Sequence, residues 1–464
     1  MANNKKHINA EQQHERMMNT PIPKLVLSLA LPTTASQLIT VIYNTADTYF
    51  VSHIGTSAAA AVGVVLSMMS IIHACGFGIG MGVNSVISRK LGAKKNDEAS
   101  VFASSAFFAA IAVGLILMIA GLLTLKDLMI LLGSTETILP YSCDYARYIL
   151  IGAPVMCASF VLNNALRSEG KAVLSMWGLC IGGILNIILD PIFIFVMDMG
   201  IAGAALATTL SQCVSFMVLL SAFLCGKSNL KINIKLVSRT AKTYIIIIKN
   251  GFPTICRQGM ASIASALLNI QAAAYGDAAL AAITISNKVY LLIRNLVLGI
   301  GQGFQPIAGY NYGAGNKARV KQAFKFTCIL GTAICVLCSA GVALNAATII
   351  TWFREDAQVV AIGTQALYFN CLIIPFMAYS TYVNQLYQCL GFSTQATFLA
   401  SCRQGIFFIP LIFVLPRLIG ITGIEATQPA ADMLTFLISI PFQIAFYRKR
   451  LNSDTFRKDI FDRV

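Results

Sequence analysis

Two aspartates lie inside apolar segments of this 464-residue chain. Asp47 is in YNTADTYFVSHIG at 43–55, and Asp190 is in LNIILDPIFIF at 185–195. A carboxylate at the centre of a bilayer costs roughly 2.5–3.5 kcal/mol on insertion scales, so a charge in such a segment is a candidate for function. Asn186 precedes Asp190 by one helical turn and would share its helix face.

Carboxylates and an amide that meet in an apolar setting support two kinds of chemistry. Two neighbouring buried carboxylates can hold and release a proton. Carboxylate and amide oxygens can instead bind a hard monovalent cation such as Na⁺, by extension from the ligand preference of hard cations. A hydrogen-bonded plug that only joins helices is the structural alternative, and the sequence leaves these three interpretations open.

The composition places these residues in a membrane. The chain is 57% hydrophobic and 11% charged, whereas a soluble domain carries about 25% charged residues. The apolar segments are long rather than short and alternating, which favours helices over a β-barrel. We therefore predict an all-α polytopic membrane protein.

Twelve segments are long and apolar enough to span a bilayer. They are 24–53, 57–84, 99–124, 142–168, 173–197, 202–225, 244–274, 279–305, 321–347, 359–389, 394–418 and 424–447. Basic residues concentrate in the two tails and in the loops that follow even-numbered spans. The positive-inside rule therefore predicts cytoplasmic termini, and it explains the net charge of +15 without nucleic-acid binding.

The two halves of the chain repeat each other in sequence. A shift of 221 positions (299 minus 78) superimposes GIGMG at 78–82 on GIGQG at 299–303, and it places Pro32 on Pro253. We interpret the glycine motif as a site of close helix packing. The predicted organisation is an N-terminal tail (1–23), an N-lobe (24–226), a linker (227–243), a C-lobe (244–447) and a C-terminal tail (448–464).

This repeat predicts two lobes of six helices related by a pseudo-two-fold axis along the membrane normal, because six spans return the chain to its starting side. Rocking of such lobes gives alternating access to a central cleft, which favours transport. At the same offset Asp47 corresponds to Leu268, and Asp190 corresponds to Leu411. The carboxylates are therefore additions to a scaffold that does not need them.

Other function classes find little support. No GxxxxGK[ST] phosphate-binding loop is present in the sequence, so ATP is not the expected energy source. The CxxC pair at Cys335 and Cys338 lies in an apolar segment, where we interpret it as packing residues. The four histidines are scattered and no paired acid and base is visible. We therefore expect neither an enzyme nor a bound cofactor.

The second half carries a different set of charged residues inside or beside its spans. They are Arg257, Lys288, Arg294, Arg403 and Asp432. In one interpretation Asp432 neutralises one or two of the cations in a structural network. In the other, the cations line the cleft and meet substrate carboxylates.

Several of these motifs resemble the multidrug and toxic compound extrusion (MATE) family, in its prokaryotic MepA/DinF-like branch. The motifs are YNTADTYFVSHIG, ISRKLGAKK, NNALRSEG, LNIILDPIFIF, GIAGAALATTLSQ, GIGQGFQPIAGYNYGAGN and QLYQCLGFS. The resemblance covers nearly the whole chain. It implies a two-lobe antiporter of the plasma membrane that exports amphipathic, often cationic, drugs while H⁺ or Na⁺ enters.

The resemblance also implies which residues act. The implied cation-coupling residues are Asp47, Asn163, Asn186, Asp190 and Thr208, with Na⁺ as one candidate ion at Asp47, Asn186 and Asp190. The implied gating and substrate-pocket residues are Pro32, Tyr43, Tyr145 and Glu169, to which we add Arg257 and Arg294. Pro32 is placed to bend the first helix when the site is occupied. Essential carboxylates that some relatives carry on spans seven and ten are missing here.

Membrane lipids and small drugs are the expected partners, and the chain is expected to act as a monomer. The alternative within transport is a flippase for lipid-linked oligosaccharides of the same superfamily, because the C-lobe cations would suit a pyrophosphate. Such flippases usually have more than twelve spans and a more cationic cavity, which favours the antiporter.

Overall fold

The computed structural model describes the backbone of residues 2–448 and the side chains of residues 11–448, and this part of the chain contains helices and no strand. The α-helices are α1 (Ala2–Asn19), α2 (Ile22–Ser52), α3 (Thr56–Gly92), α4 (Asn96–Leu123), α5 (Leu125–Leu131), α6 (Leu139–Ser168), α7 (Ala172–Pro191), α8 (Gly200–Leu224), α9 (Ala241–Ala273), α10 (Asp277–Gly313), α11 (Lys317–Leu344), α12 (Ala346–Phe353), α13 (Ala357–Cys389), α14 (Ser393–Ser401), α15 (Phe408–Ile419) and α16 (Ile421–Phe446). Two π-helical turns, Ile192–Val196 and Cys402–Ile406, follow α7 and α14.

Among the described residues, 11 helices are long and apolar enough to cross a membrane. The first π turn extends α7 to form the span Ala172–Val196, and the second connects α14 to α15 to form the span Ser393–Ile419. The remaining predicted span is α9, which has 33 residues and so the length to cross. It is less apolar because Lys249 and Arg257 interrupt it. The prediction of an all-helical, multi-pass membrane protein is confirmed.

The described chain forms two compact units, and two of the three boundaries between them lie inside helices. Unit 1 contains the residues up to Thr20 together with Ala35–Ile255, and unit 2 contains Pro21–Thr34 together with the residues from Cys256 onward. The predicted lobes divide at the linker instead. The difference arises because the first segment of α2 packs within unit 2 and the first segment of α9 packs within unit 1.

The first segments of α9 and α2 pack against the repeated glycine motifs. A Cβ atom on Gly82 would lie 2.2 Å from the carbonyl oxygen of Ile247 in α9. In unit 2, a Cβ atom on Gly303 would lie 2.5 Å from the Cα atom of Ala30 in α2. The Thr33 hydroxyl donates a hydrogen bond of 2.7 Å to the carbonyl of Gly299, which fixes the register of this contact. The interpretation of both motifs as sites of close helix packing is confirmed.

We expect Gly82→Ala to destabilise the protein, because the added methyl group cannot avoid the backbone of α9. Overpacking of this kind costs about 1–3 kcal/mol, and more where backbone must move. Gly63→Ala is the matched control, since Gly63 lies in the same helix and a Cβ atom there would meet nothing within 4 Å. Thermal unfolding of the purified proteins checks this expectation, and equal midpoints for the two variants would contradict it.

The predicted N-terminal tail forms α1 and packs within unit 1. Met17 is fully buried, and the side-chain amide of Gln13 donates a 2.7 Å hydrogen bond to the carbonyl of Glu169. The predicted linker is held on α4 by serines, including Ser104, whose hydroxyl donates to the carbonyl of Lys231 at 2.9 Å. Apart from residue 448, the predicted C-terminal tail (448–464) lies outside the described residues.

Candidate cation site

The site in unit 1 depends on small residues of α7. A Cβ atom on Gly183 would lie 3.0 Å from the ring of Tyr43, so glycine allows α2 to approach α7 at this level. A Cβ atom on Gly182 would lie 2.8 Å from the Cβ atom of Ser215 on α8. Glycines at adjacent positions thus let α2 and α8 pack against α7, one turn before Asn186.

Asp47 lies on α2, and its carboxylate points into unit 1. The Tyr145 hydroxyl on α6 donates to Oδ2 of Asp47 at 3.2 Å. Only 8% of Asp47 and 1% of Tyr145 is exposed. Tyr145 is also hydrogen-bonded to Thr208 on α8, so it connects the first carboxylate to the next group of polar residues.

Asp190 lies on α7 and is fully buried. The side-chain amide of Asn186 donates to Oδ1 of Asp190 at 3.0 Å and approaches the Thr208 hydroxyl at 3.3 Å. Hydrogen bonds therefore run from Asp47 through Tyr145, Thr208 and Asn186 to Asp190. We call these five residues the polar cluster, and it is built by α2, α6, α7 and α8.

Three oxygen atoms of the polar cluster are buried and have no hydrogen-bond donor among the described residues: Oδ1 of Asp47, Oδ1 of Asn186 and Oδ2 of Asp190. A buried acceptor without a donor costs roughly 1–3 kcal/mol, and more when the group is charged. Three such atoms in one cluster form an acceptor-rich site. A proton or a hard cation would satisfy them, because both bind carboxylate and amide oxygens.

The backbone directly after Asp190 departs from regular α-helical geometry. Pro191 has no N–H group, so it cannot donate to the carbonyl of Ile187 as a regular helix would require. The π-helical turn Ile192–Val196 follows at once. Single π turns inside helices occur frequently at functional sites. Because a π turn contains one more residue than an α turn, it rotates the side chains that follow Asp190 relative to those that precede it.

Asn163 does not belong to the polar cluster in this structure. Its side-chain amide donates to the Ser175 carbonyl at 3.1 Å, and its oxygen accepts from Arg167 at 2.6 Å and 3.0 Å. Asn163 also follows Tyr145 by five turns of α6, which places it about 27 Å further along the helix axis. The coupling role implied for it therefore lacks support from these contacts.

Glu169 is likewise remote from the polar cluster. Its buried carboxylate accepts from the Ser228 hydroxyl, from the backbone N–H of Asn229 at 3.0 Å and from that of Leu230 at 3.3 Å, and it pairs with Lys171 at 2.5 Å. These contacts join the α6–α7 turn to the segment after α8. The structure shows Glu169 holding these segments together, and the gating or substrate-pocket role that the resemblance implies stays a prediction.

We expect Glu169→Ala to lower stability without changing ion dependence. The substitution removes the acceptor of the Ser228 hydroxyl and of the Asn229 N–H, and it removes the ion-pair partner of Lys171. Each buried group left without a partner costs about 1–3 kcal/mol. Glu136→Ala is the control, because Glu136 is exposed. Thermal unfolding measures the loss of stability, and transport by the folded protein measures the ion dependence. A change in the driving ion would support the gating role instead.

Tyr43 and Pro32 lie on α2 at different distances from Asp47. Tyr43 is one turn before Asp47, packs on Gly183 and is hydrogen-bonded to Gln212. Pro32 lies within α2, which is helical on both sides of it. The boundary between the two units follows at Thr34 and Ala35.

In unit 2 the predicted charged residues separate into two groups. Arg403 pairs with Asp432 at 2.6 Å, which matches the structural-network interpretation for this pair. Arg257 and Arg294 each have a buried Nε atom with no acceptor among the described residues. Lys288 is exposed and takes no part.

Glu425 is a buried carboxylate that the sequence interpretation missed. It is 4% exposed on α16, and its Oε2 atom has no donor among the described residues. Asn370, whose Oδ1 atom is also without a donor, lines the same small cavity. The signal was present, since Glu425 lies beside apolar sequence as Asp47 does. It lies at the second position of the predicted span 424–447, where a charged residue beside a loop is ordinary.

Comparison with known proteins decides the family. The MatE family model matches two stretches of the chain, residues 32–192 and 253–414. The chain belongs to the MatE family. The two matches begin 221 positions apart, at 32 and 253, which confirms the internal repeat and its offset. The matches include every helix that builds the polar cluster except α8.

The chain resembles MatE-family proteins over nearly its whole length. It is 28% identical to the multidrug export protein MepA of Staphylococcus aureus (strain MRSA252), over 94% of this chain and 96% of that protein. Crystal structures of a MATE in a straight and in a bent conformation match with TM-scores of 0.88 and 0.87, each at 23% identity and over 97% of this chain and 98% of theirs. This MatE-family chain is therefore a membrane transporter with the MATE fold, and its relatives are transporters rather than enzymes.

Proposed function

We propose that this protein is a secondary antiporter that exports amphipathic, often cationic, drugs while H⁺ or Na⁺ moves inward. The observation that carries the proposal is the polar cluster of unit 1, with three buried oxygens that lack donors among the described residues. The MepA relative is a multidrug export protein, which supports drugs as the substrate class. No cofactor is part of the proposal, because the coupling ion is itself a transported substrate.

Asp47 and Asp190 are the ion-binding residues in this proposal. Their free oxygens and that of Asn186 supply the contacts that a proton or Na⁺ needs. Tyr145 holds Asp47 and Asn186 holds Asp190 through hydrogen bonds, and Thr208 joins Tyr145 to Asn186. Since the two carboxylates interact electrostatically, a positive charge bound by one also relieves the other. Drug release follows if the drug binds less well once this charge is bound.

The helix α2 would carry the signal of ion binding. Asp47 lies on the part of α2 that belongs to unit 1, whereas Pro32 lies on the part that belongs to unit 2. Proline weakens a helix at one point, since it removes a hydrogen bond of the i→i−4 ladder. Ion binding at Asp47 would thus favour one bend of α2, with Tyr43 as the side chain that shields the carboxylate.

We propose that the protein lies in the plasma membrane with both termini in the cytoplasm. The basic loops favour cytoplasmic termini in a plasma membrane, so the proposed export direction is out of the cell. We propose a monomer, with each polypeptide containing both halves of the repeat. Lipids surround the many large apolar side chains that are exposed on the helices.

Proteoliposomes test the proposal directly. Vesicles that contain the purified protein and ethidium should lose the dye faster when either Na⁺ or H⁺ is higher outside, with each gradient imposed separately. Protein-free vesicles supply the leak rate. Acceleration by one gradient supports antiport and names the ion. Equal efflux with and without both gradients would overturn the proposal.

A further inference from the structure

Unit 2 buries more positive charge than its nearby carboxylate neutralises. Arg403, in the π turn after α14, pairs with Asp432 on α16 at 2.6 Å. Asp432 also accepts from the Tyr290 hydroxyl at 2.5 Å and from the side-chain amide of Gln428 at 3.1 Å. Three donors already contact this carboxylate, and Arg403 is its ion-pair partner.

Two further arginines lie close to this pair without an ion-pair partner of their own. Arg257 on α9 and Arg294 on α10 form no hydrogen bond or ion pair with residues 11–448, and the Nε atom of each is buried. Both interact unfavourably with the charge on Arg403. A buried cation without a partner is strongly destabilising. The fold therefore keeps the Nε atom of Arg257 buried with no favourable charge nearby, whereas Arg294 is attracted by Asp432 and Tyr290 without bonding to either.

Two of the three arginines line a small cavity. Arg257 and Arg403 line a cavity of about 30 Å³ together with polar residues that include Ser380, Asn384 and Gln404. A cavity needs roughly 10–15 Å³ to hold one water molecule. The space therefore fits the oxygens of one small charged group.

We propose that Arg257 and Arg403, with Arg294 adding positive charge nearby, bind one anionic group, a carboxylate or a phosphate, that is carried by an amphipathic molecule. The planar guanidinium group presents paired donors that match both anions. The inference rests on the proposed transport function and deepens it, because it adds zwitterionic and anionic amphipaths to the substrate class. Unit 1 would take the cation while unit 2 holds the anionic end of the substrate.

The thermal midpoint distinguishes an arginine that binds a ligand from one that stabilises the fold. Without ligand, Arg257 contributes repulsion and a buried orphan atom, so Arg257→Gln should leave the thermal midpoint of the ligand-free protein unchanged or raised. A structural role predicts a lower midpoint. This measurement also guards against misreading a misfolded variant as a loss of binding.

Binding is best measured with two probes that differ only in charge. The full-length protein in phosphatidylcholine nanodiscs would be titrated with 7-diethylaminocoumarin-3-carboxylate and with the corresponding carboxamide, using empty nanodiscs as the blank. We expect the wild type to bind the carboxylate at least about ten-fold more tightly, the effect of one charge-assisted interaction. Arg257→Gln should lose this preference, and Arg257→Lys should keep part of it.

Arg239→Gln is the matched control, because Arg239 is exposed in the linker. It should keep the full preference. Dioctanoyl phosphatidylglycerol and octanoate, added as competitors, distinguish a lipid phosphate from a free carboxylate, and displacement by either supports an anion site. Equal binding of the two coumarins by the wild type, or an unchanged preference in Arg257→Gln, would overturn the inference. Because no ion gradient is involved, failure of antiport leaves this result standing.

Discussion

Asp47→Asn is expected to abolish gradient-driven drug efflux while leaving the protein folded. Asparagine keeps the size of the side chain and can still accept from the Tyr145 hydroxyl. It cannot take up a proton, and it contributes no negative charge to a cation. In ethidium-loaded proteoliposomes, the variant should show the same efflux with and without an imposed gradient.

Two controls isolate the carboxylate as the cause. Asp127→Asn removes an exposed carboxylate and should transport as the wild type does. Asp190→Asn should fail in the same way as Asp47→Asn, and the double variant should be no worse than either single one, because residues that act as a unit are non-additive. Full gradient-driven efflux by Asp47→Asn would show that the ion binds elsewhere.

Removal of Arg403 is expected to have the largest effect on stability. Arg403 and Asp432 form a buried ion pair at 2.6 Å, and Asp432 is 1% exposed. Arg403→Met leaves this carboxylate buried without an ion pair, because neither Arg257 nor Arg294 is paired with it. Breaking a buried pair in this way costs about 3–5 kcal/mol. We expect little folded protein, or a thermal midpoint far below that of the wild type.

A second substitution should rescue this defect. Arg403→Met with Asp432→Asn removes both charges, and the introduced amide can still accept from the Tyr290 hydroxyl, so most of the lost stability should return. Lys95→Met is the control, since Lys95 and Glu98 form an exposed pair at 3.8 Å that is worth about 0–1 kcal/mol. If the double variant were as unstable as Arg403→Met, the uncompensated charge would not be the cause.

The fold was largely predictable because membranes impose simple rules on sequence. Long apolar segments predict helices, since an unpaired backbone cannot remain in lipid. The repeat was visible as a constant offset between landmarks such as Gly82 and Gly303. The division of α2 and α9 between the two units was not predictable, because it depends on which helix fills the groove beside each glycine motif.

The candidate site was predictable in part. Asp47 and Asp190 were visible as charges in apolar sequence, and the structure brings them together with Asn186, Thr208 and Tyr145. Sequence could not show that Asn163 and Glu169 are engaged elsewhere, because hydrogen-bond partners such as Arg167 or Leu230 depend on how distant segments pack. The same limit applies to Arg257, since only the folded structure shows that its Nε atom has no acceptor among the described residues.

The central claim is that Asp47 and Asp190 bind the ion that the drug displaces. The most direct measurement adds ethidium to purified protein in weakly buffered detergent solution that contains ²²Na⁺, and records released H⁺ and released ²²Na⁺. The wild type and Asp127→Asn should release one of the two ions as ethidium binds, whereas the Asp47→Asn, Asp190→Asn double variant should release neither. Release by the double variant equal to that of the wild type would contradict the claim.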